Sequence, residues 1–207
     1  MNVDQRYRFI YKPLGFIAAL IPFLWLQCGA LGLFDVSLGA DPTKKLEHVL
    51  GKTALNLLLL TLLVTPVRHI ANLPHLPRFR RMLGLFAFFY ATLHFTSYWA
   101  FDLGFSFAAM IGDVLKRPFI ALGFTAFLLL VPLALTSTKG WIRRLGRKWT
   151  QLHRLVYLAA ICAVIHFAWK VKVFTGDPVI YAVILTLLLG FRLAWIVWKN
   201  RAPAHPN

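Results

Sequence analysis

MLGLFAFFYATLHFTSYWAF, residues 82–101, is the stretch on which the fold turns. It is 20 residues long, carries no Asp, Glu, Lys or Arg, and holds one histidine, His94, twelve residues after its start. An α-helix needs ~20 such residues to cross the hydrocarbon of a bilayer at ~1.5 Å per residue. The apolar residues do not alternate with polar ones, which argues against a barrel strand. Only helices and closed barrels satisfy their own backbone in hydrocarbon, so a transmembrane helix is the reading. A polar side chain deep in such a helix is costly unless it has a partner, which makes His94 a functional candidate.

Five more segments read the same way, at about residues 13–33, 49–67, 118–135, 152–171 and 179–198. The expectation is an all-α membrane protein, a bundle of six transmembrane helices forming one domain over 1–207. Composition agrees: 59% of residues are hydrophobic and 14% charged, against ~25% charged in an ordinary soluble domain. Pro22 and Pro132 are tolerable inside membrane helices, where neighbours satisfy the freed carbonyls. Trp25, Trp99, Trp169 and Trp198 lie toward helix ends, as interfacial aromatics do. The N-terminus has no small-x-small cleavage pattern, so its apolar stretch reads as a retained helix. Cys28 and Cys162 lie in apolar runs and there is no CxxCH, which excludes covalent c-type haem. No internal repeat, low-complexity tract or second domain is legible.

The formal net charge of +16 is unevenly spread. The N-terminus, the loops 68–81 and 136–154, and the C-terminal tail hold 15 Lys and Arg; the other three loops hold 7, including Lys170 and Lys172. Asp35, Asp41, Glu47, Asp102, Asp113 and Asp177 fall on that second side and only Asp4 on the first. The positive-inside rule then places both termini in the cytoplasm. The high charge is explained by topogenesis and anionic membrane lipids rather than nucleic acid. A negatively charged cytosolic partner or a phosphate cofactor could use the same face.

His166 lies 14 residues into the fifth segment. Rises of ~1.5 Å per residue put His94 and His166 roughly 18 and 21 Å from the inner ends of their helices, at similar depth. Two neutral imidazoles at one level on neighbouring helices could clamp a haem iron from both faces. Each could instead merely hydrogen-bond a neighbouring helix. His153 stands 13 residues before His166, so at ~100° per residue the two are about 140° apart on a straight helix. At its depth the third helix offers Arg80 and Arg81. A guanidinium has no lone pair for a metal but can hold a haem propionate or flavin phosphate. His153 is therefore open to three roles: ligand of a second haem with an irregular partner, contact to another cofactor, or helix cap. Arg192, about two turns before the end of the sixth helix, either snorkels to the inner interface or holds an anionic cofactor group. His48 reads as a surface residue, His69 and His75 as loop residues near the inner face, and His205 as part of a Pro-rich tail.

RRMLGLFAFFYATLHFTSYW (80–99), KRPFIALGF (116–124), LALTSTKGW (133–141), WTQLHRLVYL (149–158) and IHFAWKVK (165–172) occur in this order on successive segments. Together they resemble the haem-binding membrane subunit of the bacterial periplasmic methionine sulfoxide reductase system, within the ferric-reductase-like transmembrane superfamily. The resemblance runs from the second helix through the sixth. It implies an inner-membrane protein that passes electrons through flavin (FMN) and haem b to a periplasmic, molybdenum-containing catalytic subunit, which repairs oxidised methionine in envelope proteins. A cytoplasmic flavin reductase or the quinone pool would be the donor. It also implies that His94, His166 and His153 are the haem-associated histidines. Two-haem members of the superfamily carry a second histidine on the third helix, about 14 residues before the first; here that place is Arg80. The departure fits one haem b, with an inner flavin or a second, atypical haem.

Bis-histidine ligation leaves no open position on iron, so the expected role is electron transfer without substrate chemistry. The last segment ends nine residues before the C-terminus and no GxGxxG is present, so a self-contained ferric reductase is not expected. The rival readings are a quinol-oxidising cytochrome b subunit of another periplasmic enzyme and a haem-free transporter or assembly factor.

Overall fold

The computed structural model describes residues 2–170 and 176–201. His205 and Lys172 lie outside the described residues. Those described form helices and connections: α1 Val3–Arg6, α2 Lys12–Ala30, α3 Pro42–Ile70, α4 Arg80–Ser97, α5 Phe107–Lys116, α6 Pro118–Leu135, α7 Lys139–Leu145, α8 Arg147–Leu152, α9 Leu155–Lys170 and α10 Asp177–Arg201. A π-helical turn, Tyr7–Tyr11, joins α1 to α2, and another, Tyr98–Asp102, extends α4.

Among the described residues, five helical stretches are long and apolar enough to cross a membrane: Asp4–Ala30, Pro42–Ile70, Pro118–Leu135, Arg147–Lys170 and Asp177–Arg201. α4 is not among them. Arg80 and Arg81 in its first turn, with Tyr90, Thr92, His94, Thr96 and Ser97 further along, lower its hydropathy. Phe16, Ile17 and Ile21 of α2 and Leu187, Leu193 and Ile196 of α10 are exposed. Apolar surface of that extent is stable only against lipid or a partner, and these helices belong to a membrane protein.

α3, α4, α6 and α9 form a ring: α3 packs on α4, α4 on α6, α6 on α9, and α9 back on α3. α2 lies against α3 and α4, and α10 against α3 and α9. At the centre Tyr90, Ala87, Ala159 and Ala160 are almost fully buried. Small residues there let helix backbones approach closely, which replaces the hydrophobic drive that lipid removes.

Local chemistry sets several boundaries. α3 begins at Pro42, seven residues before the sequence-based start at 49, because the Asp41 side chain accepts the Lys44 N–H at 3.0 Å and caps it. Pro42 then sits at the first helical position, where its missing N–H costs nothing. Ser106 caps α5 and Thr138 caps α7 in the same way. Neither short helix was expected from the sequence. Gly146, at φ +49°, turns the chain from α7 into α8 in a conformation other residues resist.

Besides the Phe16–Phe86 and Phe23–Phe89 ring contacts, a buried hydroxyl holds α2 to the ring. Tyr90 donates to the Ala19 carbonyl at 2.7 Å and accepts the Phe23 N–H at 3.1 Å. Those are the acceptor and donor of one helical turn, beside Pro22, whose ring disturbs the local ladder. Tyr90→Phe is expected to leave both groups underserved in an apolar setting, at about 1–3 kcal/mol. A lowered thermal midpoint of the detergent-solubilised protein, against an unchanged one for Tyr11→Phe, is the measurement that checks it.

Candidate functional site

The ring brings two imidazoles together. His94, from α4, places Nδ1 3.0 Å from the Glu47 carbonyl of α3. His166, from α9, places Nδ1 2.6 Å from the Phe119 carbonyl of α6. A carbonyl only accepts, so each Nδ1 carries the proton and donates it. Each Nε2 is left unprotonated, with its lone pair free. This is the tautomer and the outer hydrogen bond that orient a metal-ligating histidine. The ring centroids are 6.4 Å apart with the planes at 66°. Two metal–nitrogen bonds of ~2.0–2.1 Å, with ~1.1 Å from each nitrogen to its centroid, put opposed imidazoles ~6.3 Å apart. The donor set and its spacing fit the iron of a b-type haem. Phe95 and Phe127, stacked at 5.0 Å, and Phe88, stacked on Phe127 at 5.9 Å, supply flat apolar surface nearby.

His153 is at the other end of α9, and not on a straight helix. The chain turns at His153–Arg154, so α8 and α9 are separate and the 140° offset of an unbroken helix does not apply. Its Nδ1 lies 3.1 Å from the Trp149 carbonyl and its ring stacks on Trp149 at 3.8 Å. Trp149 in turn donates Nε1–H to the Thr136 carbonyl at 3.0 Å. His153 Nε2 is buried without a hydrogen-bond partner. All three motif histidines thus have Nδ1 within hydrogen-bond distance of a backbone carbonyl.

Arg80 and Arg192 lie at this same end, within electrostatic reach of each other. Arg80 donates to the Thr65 hydroxyl. Arg192 donates to the Tyr157 hydroxyl at 2.6 Å and the Leu62 carbonyl at 2.9 Å, and lies 5.0 Å from the Tyr157 ring centroid. The Nε atoms of both are buried and unpartnered. Neither makes a salt bridge to a carboxylate among the described residues. Arg81 is exposed. The His69 ring lies tilted by 31° against Trp195 with centroids 4.1 Å apart, His75 precedes the 3-10 turn Leu76–Phe79, and His48 is exposed. No group of three or more His, Cys, Asp or Glu that could hold a metal ion occurs among the described residues. Iron would therefore need the porphyrin's nitrogens besides the two histidines.

Sequence reasoning missed Thr65, Trp149 and the two accepting carbonyls. Trp149 had a signal, since it sits four residues before His153. The carbonyls had none, because every residue has one.

A model of the ferric reductase like transmembrane component matches residues 50–164, from α3 into α9. Among curated relatives, the protein-methionine-sulfoxide reductase heme-binding subunit MsrQ of Brucella ovis is 48% identical over 190 residues, covering 91% of this chain and 84% of the relative. The subunit of the same name from Xanthomonas campestris pv. campestris is 53% identical over 164 residues, 79% of this chain and 73% of the relative. The chain belongs to the MsrQ family. No solved structure matches it. The family model's span takes in His94, His153 and Arg80 and stops two residues short of His166. The longer alignments to whole MsrQ subunits make the family assignment independent of that endpoint.

Proposed function

We propose that this chain is the haem-binding membrane subunit of a protein-methionine-sulfoxide reductase system and carries electrons across the bacterial inner membrane. The observation that supports it most is the His94–His166 pair: two Nδ1-anchored imidazoles with centroids 6.4 Å apart at the core of a membrane bundle. His94 and His166 hold one haem b, which when bound supplies one-electron chemistry. The chain's residues fix the ligand tautomers, surround the group with Phe88, Phe95 and Phe127, and keep water away. With two histidines as its protein ligands, bound haem would offer no open position to oxygen or substrate.

Six helices cross the membrane as one domain, α4 with its π-helical extension being the sixth, and both termini are cytoplasmic. His94 and His166 then lie in the periplasmic half, nearest a molybdenum-containing catalytic subunit. His153, Arg80 and Arg192 lie in the cytoplasmic half. There the arginines hold the phosphate of FMN or the propionates of a second haem, and His153 Nε2 contacts the same group. The donor is a cytoplasmic flavin reductase, with the quinone pool as the alternative.

The test is a dithionite-reduced spectrum of the purified protein, with pyridine haemochrome and flavin quantitation. A low-spin b-type spectrum with haem at one or two per chain is expected. A colourless protein would sink the proposal and favour an assembly factor or transporter. Reduction of the haem by quinol in washed membranes, without cytosolic reductase, would move the donor to the quinone pool. His153→Ala is expected to keep the His94–His166 haem and lose flavin or the second haem. Loss of all haem in that variant alone would contradict the division into two sites.

A further inference from the structure

The two histidine anchors are built alike. Glu47 accepts from His94 and Phe119 from His166, and both donors lie 47 residues downstream of their acceptors. Four residues after each accepting carbonyl stands a glycine, Gly51 or Gly123. This spacing has a physical reason. On a helix, residues i and i+4 lie one above the other, and every Cα–Cβ bond leans toward the N-terminus. A Cβ on residue i+4 therefore leans into the approach to carbonyl i. An imidazole can reach that carbonyl from the side only where the Cβ is missing. The distances agree: a Cβ on Gly51 would stand 3.1 Å from His94 Cε1 and 3.2 Å from Nδ1. On Gly123 it would stand 2.8 Å from His166 Nδ1 and 2.9 Å from Cε1.

The likeness extends along the chain at a constant offset of 72 residues. Leu50-Gly51, Thr53-Ala54 and Leu57-Leu58 align with Leu122-Gly123, Thr125-Ala126 and Leu129-Leu130. Ala87, Ala91 and His94-Phe95 align with Ala159, Ala163 and His166-Phe167. No insertion falls between, so the hairpin α3–α4 and the hairpin α6–α9 are equivalent units. The ring obeys the same rule, because exchanging the hairpins turns the α4–α6 contact into the α9–α3 contact. The two histidine-bearing helices face each other across the diagonal, and their rings meet at the centre.

We infer that Gly51 and Gly123 are duplicated positioning residues of a two-fold internal repeat, each a notch that lets one ligand histidine reach its orienting carbonyl. The inference rests on the reading of His94 and His166 as iron ligands. Donation from Nδ1 makes an imidazole a stronger electron donor to the metal and stabilises the oxidised state. Closing a notch pushes the ring off its carbonyl, weakens that donation and shifts the haem potential upward. Partners of this kind typically contribute roughly 10–100-fold to metal affinity.

The test compares Gly51→Ala and Gly123→Ala with Gly190→Ala, where an added Cβ meets nothing within 4 Å on the exposed side of α10. Readouts are haem content, the low-spin electron paramagnetic resonance signal and the midpoint potential, with folding followed by size exclusion. Expected are reduced haem affinity, an altered axial-ligand signal and a raised potential, larger for Gly123→Ala because its contact is closer. Gly190→Ala should match the unaltered protein. If Gly123→Ala fails to fold, Gly51→Ala, whose clash is milder, decides. Unaltered affinity, signal and potential in the folded glycine variants would overturn the inference while leaving the ligand reading intact. Full haem in His94→Ala and His166→Ala would instead overturn the ligand reading beneath it.

Discussion

His166→Ala is expected to strip the protein of the haem held at the centre of the ring, and His94→Ala to do the same. Each ring donates to a carbonyl on the adjacent helix, 2.6 Å for His166 and 3.0 Å for His94, so its Nε2 is presented in one orientation. Removing a mere orienting partner of a ligand costs about 10–100-fold in metal affinity, and removing the ligand itself costs more. Purified variants should fall below roughly a tenth of the wild-type haem content, or show a five-coordinate, high-spin spectrum where haem remains. Added imidazole should restore the six-coordinate spectrum if the cavity survives. The competing account makes the two histidines packing elements, each satisfied by one carbonyl. On that account either alanine variant would lose a hydrogen bond of about 0.5–1.5 kcal/mol and keep its colour. The two accounts predict opposite results from one absorbance measurement.

The pair could be found in the sequence because membrane helices make polar residues conspicuous. His94 and His166 stand out from runs such as FAFFYATL and LAAICAVI, where an unexplained imidazole is costly. The same background concealed the rest. The 72-residue repeat is written mostly in Leu and Ala, which any membrane helix supplies, so its identities do not stand out from that background. Gly51 and Gly123 matter through a missing atom, and the reason appears only when a second helix lies alongside. The early start of α3 was legible in Asp41-Pro42, a capping pair, but Lys44, Lys45 and Glu47 looked like loop. α5 was hidden because its ten residues are too few to span and too apolar to read as a connection. The break at His153–Arg154 carries no proline or glycine. It arises where i→i−4 bonding gives way to i→i−3 bonds, from Arg154 N–H to the Gln151 carbonyl, Val156 to His153 and Tyr157 to Arg154, beside the stacked Trp149–His153 pair. A straight-helix rotation could not anticipate that.

Arg192→Leu, alone and with Arg80→Leu, is expected to separate stability from cofactor binding at the cytoplasmic end. Two guanidiniums within reach of each other, without a carboxylate partner among the described residues, repel in a low-dielectric setting. The Thr65 and Tyr157 hydroxyls and the Leu62 carbonyl solvate them partly, but both Nε atoms stay unmet. An arrangement that is costly when empty and complementary to a doubly charged phosphate or a propionate is explained by the anion it receives. Replacing the pair with leucines removes the repulsion, so the apoprotein should melt no lower than the original. Anion binding should move the other way. Each lost charge-assisted bond is worth about 1.5–3 kcal/mol, which is roughly 10–150-fold in affinity per arginine. Titration with FMN, and haem counting after reconstitution, read this directly. Arg192→Lys should fall between, since it keeps the charge but not the fork that meets Tyr157 and Leu62 together. An unaltered complement of flavin and haem in the double variant, with lowered stability, would mean that the arginines only tie α10 to the ring and α4 to α3. The inner cofactor would then have to be sought around His153 alone.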